Sequence, residues 1–486
     1  MLARHLFVPL AVILAAGGGC RASDSRELVV AHEAEIESLD PIKAADTVSN
    51  SVLSNVYDSL VEFDREMHLV PSLAVSWQTP SELTWILGLR SGVRTHNDTW
   101  LTAEDVVASL ERARLAADSS LAERLATVEK VKALDAGTIR IDTKEPDPLL
   151  MHRLTFVLIT ARQRTQTALL PGTGPYRLIR SNRDGIEVEA FRACWRGAPA
   201  IRRARFVTVR PGEETLQRFS SGALDVARIA REFDGIPDVT LRIGPSPRNL
   251  YLWLRSQARN TPLADHRVRR AMALAIDREA VVGRLGGWGE PLTQLVPRTV
   301  FGHDPRLAPL TFDLQEARRL MSEAGYSQGF EIELAHARGL ESIVDLLRSQ
   351  LAAVRVVVHP VALEWPDMLR RWRNGQLPFF MAVWRFDTGE ASFFLQQCIL
   401  SRDTAQSWNP GYSNRQVDTL IREGLRLFSA SERGAHFIRI MALLQDDLPL
   451  IPLASRVDLY GLRRGISWQP RLDGKLLVYE MARNTN

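Results

Sequence analysis

The sequence predicts an α/β protein built of discontinuous lobes, and three observations lead there. The chain has 486 residues, room for roughly three domains at about 150 residues each. Hydrophobic residues make up 45% and charged residues 24%, ordinary globular values that disfavour wholesale disorder, a collagen-like chain and a polytopic membrane protein. Short β runs and amphipathic helical patterns alternate along the whole length without one repeating βαβ period, so no single regular barrel or doubly wound sheet accounts for them.

The β runs are Leu28 to Ala31, Thr138 to Asp142, Ile186 to Phe191, Arg205 to Val209, Asn249 to Leu254 and Val354 to Val358. Thr102 is a good N-cap, with Asp105 as a short capping-box acid. Val106, Val107, Leu110 and Ala113 then share one helical face. Asp265 is expected to cap one helix from about Arg267 to Leu285. Phe312 to Ala324 reads as a helix stopped by Gly325, and Ala430 to Asp446 as a long helix ended before Pro449.

The charges exclude some function classes. There are 61 basic and 57 acidic residues, a net charge of +4. The Lys are confined to positions 43, 130, 132, 144 and 475, so the cations are nearly all Arg. Both signs are interspersed, and no basic run with interleaved aromatics marks a nucleic-acid groove. Three Cys exclude a disulfide scaffold.

At the N-terminus, Arg4 and His5 precede an apolar run, Leu6 to Ala16, followed by Gly17, Gly18, Gly19 and Cys20. That is the layout of a signal peptide, expected over residues 1–19, and it is too short to span a bilayer. The small residues before Cys20 resemble a bacterial lipobox, in which cleavage leaves the Cys as a lipid-modified N-terminus; Gly17 stands where Leu is usual. Ordinary secretion without lipid is the alternative. Residues 20–27 would be a lipid-anchored tether. Cys194 and Cys398 are expected as buried free thiols, with a bridge between them as the alternative.

No catalytic pattern is found. The sequence has no Gly-x-Ser-x-Gly elbow, P-loop, dinucleotide fingerprint or His-Glu-x-x-His. The ten His are scattered, and no Cys spacing suits a metal. The expectation is therefore no enzyme, no catalytic residue, no cofactor and no metal.

What stands out is an ordered set of local motifs. They run Leu39-Asp40-Pro41, Val56-Tyr57-Asp58-Ser59-Leu60-Val61, Leu69 to Trp77, and Leu89-Arg90-Ser91-Gly92-Val93 followed by His96. Leu101 to Val106, Gly172-Thr173-Gly174-Pro175-Tyr176, Trp195-Arg196-Gly197-Ala198-Pro199 and Ser221 to Val226 come next. Pro262 to Ala271, Ala275-Ile276-Asp277-Arg278 and Ala324-Gly325-Tyr326 complete the set. Their order and spacing closely resemble the family-5 extracytoplasmic solute-binding proteins of ABC importers, the oligopeptide-, dipeptide- and nickel-binding proteins, over roughly residues 28 to 480. Each motif also has a local reading: Gly172 and Gly174 are expected at positive φ in a tight turn, and Trp77 and Trp195 in the core. The sequence departs at Asn97-Asp98, where relatives have Asp-Gly, but both residues tolerate the left-handed region. Cys194 stands where Tyr is common.

The resemblance implies a two-lobed periplasmic-binding-protein-like fold (type II, cluster C-like) with an extra subdomain in lobe I, closing over a ligand by hinge motion. Lobe I would comprise about 24–245 and 455–486, with the subdomain near 54–168, and lobe II 246–454. In peptide-binding relatives a Trp followed three residues later by an Asp lies in the second lobe, the Asp pairing with the peptide's ammonium. Trp384 and Asp387 match that spacing and are the implied ligand-binding residues. A buried ammonium needs such a partner, and an aromatic wall adds contact area at low entropy cost. Val383 replaces the usual Gly, and Glu390-Ala391 the usual Asp-Pro. Arg385 places a cation beside the anchor and could neutralise it; a solvated Arg385, Asp387 and Glu390 surface cluster is the alternative. Arg338 is the weakest candidate, for a ligand carboxylate. The implied function is capture of a peptide or similar small solute outside the cytoplasmic membrane and its delivery to permease subunits, by a monomer tethered through lipid and without nucleic acid. Another solute, such as a nickel chelate or sugar, and a sensory lipoprotein that kept the fold are the alternatives.

Overall fold

Two long strands, Val239–Leu254 and Leu450–Arg463, pair antiparallel from Val239 opposite Arg463 to Trp253 opposite Leu450. They form the middle of an 11-stranded sheet. On one side Leu450–Arg463 pairs with Val226–Arg228, and the sheet continues through Leu28–His32, Arg203–Thr208, Gly185–Ala190 and Tyr176–Asn182. On the other side Val239–Leu254 pairs with Phe379–Arg385, followed by Phe330–Ala337 and Val356–Leu363. The computed structural model describes residues 26–44, 46–116, 119–162, 170–229, 236–256, 261–401, 408–409 and 411–484. The signal segment 1–19, Cys20 and most of the tether lie outside them. No helix among the described residues is long and apolar enough to cross a membrane.

The buried apolar side chains fall into two bodies. Two large clusters, around Leu252, Met272 and Leu347 and around Trp253, Phe394 and Phe437, are built only from residues between 250 and 454. The others draw on residues from Leu28 to Ile229 and from Leu459 to Met481. Within the first body a four-stranded antiparallel sheet (Ala74–Ser81, Thr84–Leu89, Thr138–Thr143 and Val128–Asp135) carries helix Ala103–Arg114. That helix has the expected capping box: Thr102 Oγ1 accepts from the Asp105 N–H at 3.2 Å, and Asp105 Oδ2 accepts from the Thr102 N–H at 3.0 Å. Val106, Leu110 and Ala113 are buried on its inner face.

The mixed α/β expectation holds, with local corrections. The helix expected from Arg267 to Leu285 is two, His266–Leu274 and Arg278–Arg284. Asp277 interrupts it because its carboxylate accepts from the Glu279 and Ala280 N–H groups, so a second N-cap outcompetes helix continuation. The helices Leu314–Glu323 and Ala430–Asp447 end where expected, the first before Gly325 at φ +86° and the second at Leu448 in the left-handed region. Asp98 takes the left-handed turn with φ +62°. Cys194 and Cys398 are buried free thiols, and burial pushes the Cys194 thiol up to about 11.

Gly172 and Gly174 are not needed for positive φ, contrary to expectation. They are needed for space: a Cβ on Gly172 would lie 2.2 Å from the Val56 carbonyl oxygen, and one on Gly174 would lie 2.6 Å from the Val56 carbonyl carbon. This close approach brings the motifs together around one buried carboxylate, Asp58. It accepts from Thr173 Oγ1 at 2.8 Å, Trp195 Nε1 at 2.9 Å and Arg196 Nη2 at 2.9 Å. Trp195 is half-buried with its indole N–H engaged, and Trp77 is half-buried too; both pack against the first body's core, as expected. His96 bonds the Gly174 carbonyl through Nε2 at 2.9 Å and meets Phe191 edge-on at 5.1 Å.

Two predictions follow from this packing. Gly172→Ala forces a methyl into backbone and should cost about 1–3 kcal/mol or more, read as a lower urea midpoint at unchanged m-value. Burial, opposed by the Gly174 carbonyl and reinforced by Arg177, pushes His96 from its ordinary 6.5 down to about 4, with Asp58 and Asp98 opposing more weakly. The unfolded chain then binds the extra proton first. Stability from this group is complete above about pH 6.5 and drains as pH falls towards 4, in total on the order of 3 kcal/mol. Buried His32, also lowered to about 4, adds in the same direction. Urea midpoints measured from pH 7.5 to 4.5 should fall, and His96→Gln should start lower but fall less steeply; an unchanged slope removes His96 as the source.

Candidate functional site

The two bodies meet along the loop after strand Phe379–Arg385. This strand sits beside Val239–Leu254, with Arg385 opposite Arg248 and Trp384 opposite Asn249. Trp384 therefore emerges at the strand's end, on the face shared with Tyr251 and Trp253. Its ring lies 5.8 Å from Phe394, 6.0 Å from Phe393, 6.3 Å from Trp253 and 6.4 Å from Trp408. Trp408 stacks on Trp365 at 5.8 Å. Trp384 thus belongs to a cluster of aromatic rings that extends to Trp365 and packs against the second body's core.

Asp387 is partly exposed. Arg385 Nε donates to its Oδ1 at 3.0 Å, and Oδ2 has no partner among the described residues. The cation that the sequence placed beside the anchor does engage it, but through one oxygen only. Glu390 is different. Its side chain is only 4% exposed and accepts from Arg433 Nε at 2.6 Å and Nη2 at 3.2 Å, as well as from Ser392 Oγ. It is thus an internal ion pair bracing the loop, not part of a solvated surface cluster. Arg338 forms an exposed pair with Glu364, the residue before Trp365, at 2.6 Å. The structure therefore places Arg385 on Asp387 beside Trp384, turns Glu390 inward and pairs Arg338 with Glu364.

The first body supplies the facing wall. A Cβ on Gly389, whose φ is +67°, would lie 3.2 Å from the Met67 carbonyl oxygen. His152 Nε2 lies 3.8 Å from Glu390 Oε2, and burial lowers the His152 pKa against the pull of Glu390. Arg124 packs on Phe156 and reaches Phe393.

The long strands lay down a charged floor. Asp458, 1% exposed in its side chain, accepts from Arg248, and from Arg228 Nη2 at 3.2 Å; Arg228 also pairs with Glu33. Burial opposes ionisation of Asp458, but the two guanidiniums outweigh it and hold its carboxyl below the usual range. Arg456, two residues along the same strand, is half-buried; burial and then the like charge of Arg248 lower its pKa. Cations converge here from chain segments that no local motif joins, so sequence reasoning missed Arg228, Arg248 and Arg456, as it missed Arg124 at the junction of the two bodies. In a chain whose cations are nearly all Arg, nothing local marks these four. Asp64, Glu66 and His68 place ligand-type atoms within 4.8 Å of one another on a largely exposed hairpin turn.

Comparison with known proteins agrees with this architecture. The chain is 27% identical over 485 residues to the glutathione-binding protein GsiB of Escherichia coli O1:K1, covering 93% of each. Its fold matches HbpA2 from Haemophilus parasuis with TM-score 0.84 at 21% identity, over 95% of this chain and 100% of the other. It also matches the periplasmic binding protein DppA from Helicobacter pylori, in complex with peptide STSA, with TM-score 0.76 at 21% identity, over 95% of this chain and 98% of the other. The family model described as bacterial extracellular solute-binding proteins, family 5 Middle, matches residues 68–406, well over half of the chain. The chain belongs to that family, the solute-binding proteins of ABC transporters, whose members bind substrates and are not enzymes.

Proposed function

We propose that this protein is the substrate-binding lipoprotein of an ABC importer, capturing a peptide by its free ammonium group and delivering it to the permease. The observation that carries the reading is Asp387: a carboxylate beside an aromatic wall, at the junction of the two bodies, with one oxygen still unengaged. An ammonium bound there gains a charge partner and loses little rotamer entropy to the rigid wall. Relatives that bind glutathione or a tetrapeptide fit a ligand of this kind.

The two bodies act as lobes in this reading, about 24–245 with 455–486 and 246–454, with 54–168 as a subdomain. The hinge falls where the long strands weaken. Their register shifts between Pro245 and Asn249 and again between Leu250 and Tyr251, opposite Pro452. Pro245, Pro247 and Pro452 cannot donate to a ladder, so the backbone there bends at lower cost than elsewhere in the sheet.

Asp387→Ala should weaken a free-amine peptide by about 2–5 kcal/mol, roughly 30-fold to several-thousand-fold in Kd by calorimetry. Asp387→Asn should lose less. An N-acetylated peptide should bind the wild type poorly and lose little more in Asp387→Ala, because both changes remove the same contact. Simple additivity of the two losses would show that Asp387 does not hold the amine. Cys20 is proposed as the mature, lipid-modified N-terminus. Intact mass of membrane-fraction protein should show cleavage before Cys20 plus acyl chains, and an unmodified Cys20 would refute the anchor.

A further inference from the structure

The first body ends in a basic rim on the side where the chain enters it. Strand register carries this rim across four strands: Leu28 lies opposite Ala204, Ala204 opposite Val188 and Val188 opposite Leu178. At about 4.8 Å per strand, the start of Leu28–His32 and the edge strand Tyr176–Asn182 stand roughly 14 Å apart. One residue further out on the last three strands come Arg203, Glu189 and Arg177. Beyond them an open groove is lined by Asp98, Arg177, Glu189, Phe191, Arg192 and Arg202. The acids here already have arginines: Glu27 pairs with Arg205 at 3.1 Å, Asp98 with Arg177 at 3.0 Å and Glu189 with Arg203 at 3.2 Å. Arg192 and Arg202 are exposed, and their guanidiniums have no acid or hydrogen-bond partner among the described residues. Arg177 lies over the Phe191 ring at 4.4 Å, and its Nε is shut off from solvent without a partner. Three guanidiniums on one groove, with donors to spare, match the several oxygens of a phosphate group.

Trp100 stands beside this groove, 56% exposed, with the Arg94 guanidinium 4.5 Å over its ring. Arg94 Nη1 also donates to the Asp98 carbonyl at 3.4 Å, so the indole and the groove belong to one surface. An exposed indole among guanidiniums suits the boundary between water and lipid headgroups. Eight residues, 20 to 27, separate Cys20 from Leu28, a reach of at most about 29 Å when fully extended. An acyl group on Cys20 therefore keeps this end of the body close to a bilayer. We infer that the rim docks on a bilayer carrying anionic phospholipids, with headgroup phosphates in the groove of Arg177, Arg192 and Arg202 and Trp100 in the headgroup layer. Strand Leu28–His32 leads away from the rim, and Arg228, level with His32 on the next strand, reaches Asp458 in the charged floor. Docked in this way, the body turns the junction towards the solution from which a solute is captured. The inference rests on the proposed lipid anchor for its choice of partner, but headgroup binding can be measured without the anchor.

Co-sedimentation with lipid vesicles tests it, using the mature chain from Cys20 made without acylation. At low salt the chain should bind phosphatidylcholine vesicles containing about one third phosphatidylglycerol, and bind pure phosphatidylcholine vesicles at least about tenfold more weakly. Salt at about 0.5 M should release it. Arg192→Gln combined with Arg202→Gln should weaken binding by about 30-fold, since each cation near an anionic surface contributes a factor of about five. Trp100→Ser should also weaken binding, and the blue shift of tryptophan emission on binding should disappear in that variant. Arg348→Gln combined with Arg370→Gln removes two exposed cations from the second body and should leave binding unchanged. An equal loss there would show that overall charge, not the rim, holds the vesicle, and would overturn the inference. If inorganic phosphate at low millimolar concentration releases the chain, the groove takes free phosphate and the bilayer assignment falls. If the anionic vesicles bind no protein, the rim inference falls whatever the mass of Cys20 shows. If they bind through the rim and Cys20 proves unmodified, the anchor falls and the headgroup site stands.

Discussion

The antiparallel pairing of Val239–Leu254 with Leu450–Arg463 is the constraint on which the rest of the molecule depends. The described chain crosses between its two hydrophobic bodies within these two strands. Their ladder therefore does two jobs. In the second body it is a central pair, buried on both faces and flanked by Phe379–Arg385; in the first, Leu450–Arg463 is flanked by Val226–Arg228, while Val239–Pro245 is largely exposed. In the middle it carries three prolines and two register shifts, where hydrogen bonds are lost and bending is easier. Two hydrophobic bodies joined by a locally weakened ladder suit a protein that must bury a solute and later release it.

The same strands set the electrostatics of the junction. Arg248, Arg456 and Asp458 come from the ladder itself, and Arg228 from the strand beside it. A carboxylate as buried as Asp458 stays ionised only because two guanidiniums flank it, and breaking such a group leaves an unpaired buried charge. The Glu390–Arg433 pair repeats this logic in the second body. It fixes the loop that presents Asp387, while Asp387 itself remains half-engaged and accessible. Structural carboxylates are saturated with donors and the candidate binding carboxylate is not. That difference separates their roles more clearly than residue type does.

The Asp58 cluster explains why so many local motifs coexist in the first body. Thr173 and the consecutive Trp195 and Arg196 belong to two motifs, both more than a hundred residues from Asp58, yet all three donate to its carboxylate. Gly172 and Gly174 let the backbone of their turn come against Val56 closely enough to make this convergence. Individually weak motifs thus act as one packing unit, held by charge-assisted hydrogen bonds in a setting of low dielectric.

Some of this was legible in the sequence. Caps at Thr102 and Asp265, the stop at Gly325 and the β runs are local events, decided by side chains within a few residues of each other. The motif order pointed to the family for the same reason, since each motif is contiguous. Trp384 and Asp387 could be picked out because their spacing is itself local. Tertiary structure decided the rest. Asp277 split a helix whose apolar pattern ran on, because its carboxylate found two N–H groups just ahead of it. The two glycines of the Gly-Thr-Gly turn looked like conformational requirements and proved to be spatial ones, set by Val56 from another segment. Glu390 was turned inward by Arg433, and Arg124 was brought to Phe393 across the junction, each from a different part of the chain. Which Arg meets which carboxylate, and which meets none, is a property of long-range packing; in a chain so rich in interspersed Arg, no local pattern encodes it.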